Sequence, residues 1–153
     1  MGRSAGGVRA ITLDKDDEVV SMELDSTGER ELLVMTKKGF GKRTSLDEYR
    51  LQTRGGKGVS TYDKTKFSKT GELVGATLVS KDDEIMLINS NGVIIRIRAN
   101  EISKSGRTTQ GVKIMKVESG DEIVSFAKVL DEDDASKPMT KKEKADSEQM
   151  TLV

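Results

Sequence analysis

Short apolar runs alternate with small and polar residues along most of this chain, and many of the apolar positions are β-branched. Leu32-Leu33-Val34-Met35 runs into Lys37-Lys38-Gly39, and Ile85-Met86-Leu87-Ile88 runs into Ser90-Asn91-Gly92. Runs of this size, bounded by Gly, Asn, Asp or Ser at spacings of about 8 to 12 residues, are the pattern of an all-β protein. The two glycine-ended triplets predict tight hairpin turns, because Gly accepts positive φ and Asn tolerates it. Ile94-Ile95-Arg96-Ile97-Arg98 alternates apolar and basic positions and predicts a strand with one buried and one solvent-facing side. Leu46-Asp47-Glu48-Tyr49 and Ala99-Asn100-Glu101-Ile102 predict short turns after the second strand of each pair.

The pattern repeats. Residues 32–43 align with residues 85–96 at an offset of 53, which places Gly39 on Gly92 and Arg43 on Arg96. Asp17-Glu18-Val19-Val20-Ser21-Met22, Gly71-Glu72-Leu73-Val74-Gly75-Ala76 and Asp121-Glu122-Ile123-Val124-Ser125-Phe126 form a second family of strand-like stretches. The third unit stops after this stretch, near Leu130. Units of about 1–50, 51–104 and a partial 105–130 result, and a period near 50 with about four strands per unit fits propeller blades. A blade buries its faces against neighbours, so this small number of blades predicts a partial ring with exposed ends.

Each unit also carries a cationic, glycine-rich loop. Gln52-Thr53-Arg54-Gly55-Gly56-Lys57-Gly58 is the richest of them. Gly2-Arg3-Ser4-Ala5-Gly6-Gly7-Val8 lies 51 residues before it, from Gly7 to Gly58, and Gly106-Arg107-Thr108-Thr109-Gln110-Gly111-Val112 lies 53 after it, from Gly58 to Gly111. Glycines let backbone N–H groups approach a phosphate and point into one concavity. Arg54 and Lys57 are placed to neutralise phosphates, the first by a forked contact and the second as a point charge. Gln52, Gly55, Gly56 and Gly58 complete the expected cradle. No Gly-x4-Gly-Lys-Ser/Thr pattern opens a helix, so this is not a nucleotide-binding P-loop.

Charge sharpens the picture. The 153 residues balance 26 basic against 26 acidic side chains. Residues 131–153 hold seven acidic and four basic side chains, which leaves 22 basic and 19 acidic in residues 1–130. The body is mildly cationic, and the tail, with the only proline at Pro138, has the low hydrophobicity and high charge of a disordered segment. Lys42, Arg43, Arg96, Arg98, Arg107 and Lys113, with Arg3 and Arg9, are expected to extend the loops into a basic rim. Arg43 and Arg96 would hold matching blade positions on it. Such a band supplies salt-sensitive, sequence-indifferent contact with a phosphate backbone. Only five aromatic residues are present, and Phe40 and Phe126 sit in turn or strand patterns, so stacking platforms for single strands are scarce and duplex DNA is favoured.

Composition excludes other chemistry. There is no cysteine and no histidine, which removes disulfides, Cys/His zinc sites, histidine acid-base catalysis and cysteine nucleophiles. Asp16-Asp17 and Asp82-Asp83 precede strands at matching turn positions and read as turn formers. The serines and tyrosines have no histidine to activate them. No cofactor or metal is expected. No apolar run approaches the roughly 18 residues needed to span a membrane, and Met1 to Ala10 lacks the apolar core of a secretory signal. A cytoplasmic location is the expectation.

These motifs resemble the C-terminal DNA-wrapping domain of the DNA gyrase A subunit. Gln52 to Gly58 is similar to that family's Gln-Arg-Arg-Gly-Gly-Lys-Gly box, with Thr53 in place of the first arginine. Gly39-Phe40-Gly41-Lys42-Arg43-Thr44 and Glu48-Tyr49 resemble its flanking sequence, as do the other two glycine loops, over residues 1 to about 130. The resemblance implies a β-pinwheel, a propeller-like ring of strand-exchanging blades whose positive perimeter bends duplex DNA. The segments resemble the last blades of such a ring, whereas the family's defining box lies in the first blade. It implies duplex DNA and the rest of the gyrase A subunit as partners, the gyrase B subunit indirectly, and a bacterial, nucleoid-associated setting. It implies no catalysis by this chain alone, because the region that holds the family's DNA-cleaving tyrosine lies upstream of the matching segments. The acidic tail resembles the family's variable C-terminal extension. The well-kept Arg54-Gly55-Gly56-Lys57-Gly58 favours gyrase over the related topoisomerase IV A subunit, whose box is degraded. A protein-interaction blade array is the rival reading from the exposed ends.

Overall fold

The computed structural model describes residues 3–25 and 30–129; the acidic tail lies outside the described residues. Among the described residues, seven strands and one short helix follow one another: β1 (Glu31–Thr36), β2 (Phe40–Ser45), α1 (Phe67–Thr70), β3 (Leu73–Val79), β4 (Glu84–Asn89), β5 (Ile94–Arg98), β6 (Val112–Lys113) and β7 (Ile123–Val129). They form two open antiparallel sheets, with strand orders β3-β1-β2-β6 and β5-β4-β7.

The hairpins β1-β2 and β4-β5 form as their turn residues require. Gly39 N–H donates to Thr36 C=O and Gly92 N–H to Asn89 C=O, both at 3.0 Å. The two glycines hold φ of 78° and 79°, a region other residues enter only with strain. Register repeats as faithfully as sequence: Leu33 lies opposite Arg43, and Met86, 53 residues later, lies opposite Arg96. The predicted turns at Leu46–Glu48 and Ala99–Glu101 are single 3-10 turns. Asp17 and Asp83 N–H groups close turns onto Asp14 and Ser80 C=O. The two turns fall at different places in the unit, however, one before an inner-strand stretch and the other before a hairpin, so they do not match.

Each sheet is assembled from more than one unit. β3 pairs with β1 and β7 pairs with β4, and both pairings slip register at the same place, between Met35 and Thr36 and between Ile88 and Asn89. β6, which follows the third glycine loop, closes the outer side of β2. A blade therefore combines one unit's hairpin with strands of the units after it. The stretch Asp17 to Met22 shares the sequence pattern of β3 and β7, but it is not a strand. It joins neither sheet among the described residues, and Val19, Val20, Met22 and Leu24 are exposed.

Alternation sets the core. Leu33 and Met35 point from the first sheet onto Ile85 and Leu87 of the second, joined by Ile102, Met115 and Ile123. Ile95 and Ile97 pack against this cluster while Ile94, Arg96 and Arg98 face solvent, in keeping with the alternation. Fully burying an aliphatic side chain of this size contributes about 1.5–3 kcal/mol. β1 is covered on both faces, which is why it reads as an unbroken apolar run.

Arg43 lies inside this structure and leaves the expected basic rim. It is 7% exposed, its guanidinium pairs with Glu31, and its Nε donates to Ile102 C=O at 2.8 Å. Lys104 closes the group with a 2.8 Å contact to Glu31. Arg96 repeats the pair with Glu84, 53 residues on, but stays exposed because no strand covers β5.

Replacing Glu31 with Gln leaves Arg43 buried without its counter-ion, and unfolding in urea at pH 7 should show a loss of about 3 kcal/mol. Burial pushes the Glu31 carboxyl up, but Lys104 and Arg43 outweigh it and hold the group below the ordinary 4.5. A folded pKa lower than the unfolded one gives stability that is present above about pH 4.5 and lost as pH falls through the folded value. Wild type and Glu31→Gln should therefore converge in acid.

Candidate nucleic-acid interface

The glycine loops do not stand apart; the second and the third each rest on the segment that follows the loop before it. Gly55 N–H donates to Ala10 C=O at 2.8 Å, and Thr12 N–H donates to Gly56 C=O at 2.9 Å. Thr12 Oγ1 adds a 2.6 Å bond to Gly55 C=O. The third loop repeats the arrangement on the second: the Arg107 guanidinium donates to Ser60 C=O, and the Tyr62 hydroxyl donates to Gln110 C=O. The loops thus form a connected series whose last member leads into β6.

This docking alters what the central loop offers. The expected cradle of amides is not open, because Gly55 N–H is bound to Ala10 and Gly56 N–H lies 3.4 Å from Thr53 C=O. Gln52 turns its amide nitrogen back onto the carbonyls of Arg50 and Leu51. Side chains are what remain. Arg54 is exposed and makes no ion pair or hydrogen bond among the described residues. Lys57 is exposed and pairs with Asp14, whose carboxyl is held below its ordinary value by that lysine. Arg3 and Arg9 are exposed on the first loop, and Arg107 is half-buried on the third, its N–H donating to Glu48 at 2.7 Å. Lys113 is exposed on β6. Arg96 and Arg98 are exposed on β5 but share Glu84.

Lys42 is the largest departure from expectation. Its side chain is fully buried, on the face of β2 turned away from the second sheet. Nζ donates to Gly106 C=O at 2.7 Å and to Arg107 C=O, lies 3.4 Å from Thr109 Oγ1, and sits 5.5 Å from the centroid of the Tyr62 ring. Thr44 Oγ1 adds a bond to Ser105 C=O. Gly111 completes the seat: a Cβ there would lie 2.4 Å from Gly41 O, so only glycine lets the loop cross β2 this closely. Lys42 is a clasp for the third loop, its ammonium spent on that loop's carbonyls. In the second hairpin its place is taken by Ile95, at the 53-residue offset.

Sequence reasoning missed Asp14 as the partner of Lys57, and Tyr62 as the support of the third loop. Neither has a local signature, since both act across about 43 to 48 residues. No group of three or more acidic side chains among the described residues is arranged to hold a metal.

Burial pushes the Lys42 ammonium down to about 8, with Glu48 opposing and Arg107 adding to the shift. Lys42→Met strands two carbonyls and should cost about 1–3 kcal/mol in unfolding experiments. Between about pH 8 and 10.5 the unfolded chain holds the Lys42 proton that the folded chain has released. Stability therefore rises with pH across that window. The gap between wild type and Lys42→Met should widen there.

A family model described as the DNA gyrase C-terminal domain, beta-propeller, matches residues 1–24, 30–80 and 83–129. The second and third stretches begin where the hairpins begin. The DNA gyrase A subunit of Staphylococcus epidermidis is 44% identical over 135 residues, covering 88% of this chain and 15% of that protein. That of Thermotoga maritima is 44% identical over 131 residues, covering 85% of this chain and 16% of that protein. The chain thus spans only 15–16% of the length of these relatives. Among solved structures, a DNA gyrase A C-terminal domain is 31% identical with a TM-score of 0.62, covering 65% of this chain and 33% of that one. The C-terminal domain of a DNA topoisomerase IV is 26% identical with a TM-score of 0.76, covering 94% of this chain and 43% of that one.

Proposed function

This chain belongs to the DNA gyrase C-terminal domain family, and on that premise we propose that it is a non-catalytic module that holds duplex DNA by its phosphates during supercoiling by a bacterial gyrase. The observation that carries this reading is the docked series of loops, which presents Arg3, Arg9, Arg54, Lys57 and Arg107 from successive units. Contacts of this kind fix the path of a duplex without reading its bases. Residues 1–130 form the DNA-holding blades, with Lys113, Arg96 and Arg98 as flanking cations, and residues 131–153 a charged tail. Cleavage and religation belong to other parts of the gyrase A subunit, which with the gyrase B subunit makes up the enzyme in the bacterial cytoplasm. Among the described residues no helix is long and apolar enough to cross a membrane.

Two comparisons pull in different directions on gyrase against topoisomerase IV. The better spatial overlap is with a topoisomerase IV domain, but overlap at 26% identity reports chain path more than chemistry. The 44% identity to gyrase A subunits and the intact Arg54-Gly55-Gly56-Lys57-Gly58 favour gyrase. The exposed Val19, Met22 and Leu24 favour a second reading, an array that docks other protein blades.

Titrating the chain onto mixed-sequence duplexes between about 50 and 200 mM salt tests the first reading. Arg54→Ala with Lys57→Ala should weaken binding about equally on all sequences and lower the log–log salt slope by about 1.8, or 0.9 per lost phosphate contact. Salt-independent or absent duplex binding, with self-association in sedimentation, would transfer support to the second reading.

Asp14 competes with phosphate for Lys57. Asp14→Asn should raise duplex affinity at low salt by a few-fold, with the gain fading as salt screens the pair.

A further inference from the structure

The second unit is longer than its neighbours at one place. Gly58 to Gly71 spans 13 residues, whereas Gly7 to Asp17 and Gly111 to Asp121 each span 10. These three extra residues explain why the hairpins repeat at 53 and the inner strands, Leu73 to Ile123, at 50. They build a feature found in no other described unit: the 3-10 turn Lys64–Lys66 running into α1.

The added turn is held firmly. Asp63 caps it by accepting the Thr65 N–H at 3.0 Å, and Phe67 stacks on Tyr62 with ring centroids 6.0 Å apart. Thr70 is buried, and its C=O accepts the Lys38 N–H at 3.0 Å. The Lys38 ammonium donates to Ser68 C=O at 2.6 Å. Lys69 is thereby placed with Nζ 5.8 Å from the centroid of the Phe40 ring. Lys113, arriving from the third unit on β6, places its own Nζ 5.3 Å from the same ring. Both lysines are exposed, and neither forms an ion pair among the described residues.

We propose that Lys69 and Lys113, gathered around Phe40, form a second contact for the phosphate backbone of duplex DNA, beside the glycine loops. The inference rests on the proposed function above. Two exposed ammonium groups drawn to one ring, with no carboxylate paired to either among the described residues, leave both charges available to an anionic backbone. Phe40 is almost covered and offers no face for base stacking, which points to phosphate rather than to unpaired bases.

Position supports the same partner. The third loop is fastened to β2 at Lys42 and Thr44, while Lys113 pairs with β2 at Phe40. Four residues of strand, about 13 Å, separate Thr44 from Phe40. A duplex lying along that edge carries about eight phosphate charges over this length, enough to engage both places at once.

The test uses the full chain and the same mixed-sequence duplexes, with Lys69→Gln and Lys113→Gln made singly and together. Both side chains are exposed, so the urea midpoint should not move. Each single change should lower the salt slope by about 0.9, and the pair by about 1.8, with an equal loss on unrelated sequences. Lys69→Arg should keep the wild-type slope. Unchanged slopes in a wild-type chain that binds duplex with normal salt dependence would overturn this contact and leave the proposed function standing. Failure of the wild-type chain to bind duplex at all would overturn both.

Discussion

Neither hairpin in this protein is a complete sheet, and the exchange of strands between units is the constraint on which the remainder depends. A two-stranded hairpin alone is marginal in water. β1-β2 becomes a blade only when β3 covers its inner side and β6 its outer side, and both come from later units. The slip in register after Met35 and after Ile88 shows that this joint is built the same way each time. Exchange also decides where the glycine loops lie. The third loop immediately precedes β6, the outer strand of the first blade, so it is delivered to the outer edge. Stability of one unit is therefore inseparable from that of the next, as in other repeat arrays.

Much of this architecture is legible in the sequence because it is written in local periodicity. The hairpins, their glycine turns, the short turns after β2 and β5 and the alternation of Ile94 to Arg98 all follow from spacing alone. Exchange is not local, and this is why the stretch Asp17 to Met22 reads as a strand without being one. Its residues are those of an inner strand, but strand formation depends on a partner hairpin that the stretch itself does not encode.

The site is less legible, because a cation in a sequence does not announce its burial. Lys42 and Arg43 read in the sequence as rim cations beside those of the loops, yet the fold consumes both. Arg43 neutralises Glu31 under the Ile102 carbonyl, and Lys42 fastens carbonyls of the third loop. The distinction comes from β6 and the segment 102–105 closing over β2, contacts about 60 residues away in sequence. Arg96 has the same register and the same acidic partner type as Arg43 but stays in solvent, since β5 has no such cover. Identical motif positions acquire different roles through what packs on them.

The glycine box changes meaning in the same way. Its glycines serve joinery more than anion capture, because the amide of Gly55 is bonded to Ala10 and that of Gly56 faces Thr53 within the loop. What the loop gains from this is stiffness. A loop bonded to Ala10 and Thr12 at one level, and a loop bonded to Lys42 and Ser60 at the next, hold their cations at a spacing set by the blades. A polyanion meeting such a row orders few additional side-chain supports, and preorganisation of that kind is worth more to binding than an extra loose charge. Each loop alone would be a weak, screened contact. Linked in series, they define a path, and a path that ignores base sequence is what holding an arbitrary duplex requires.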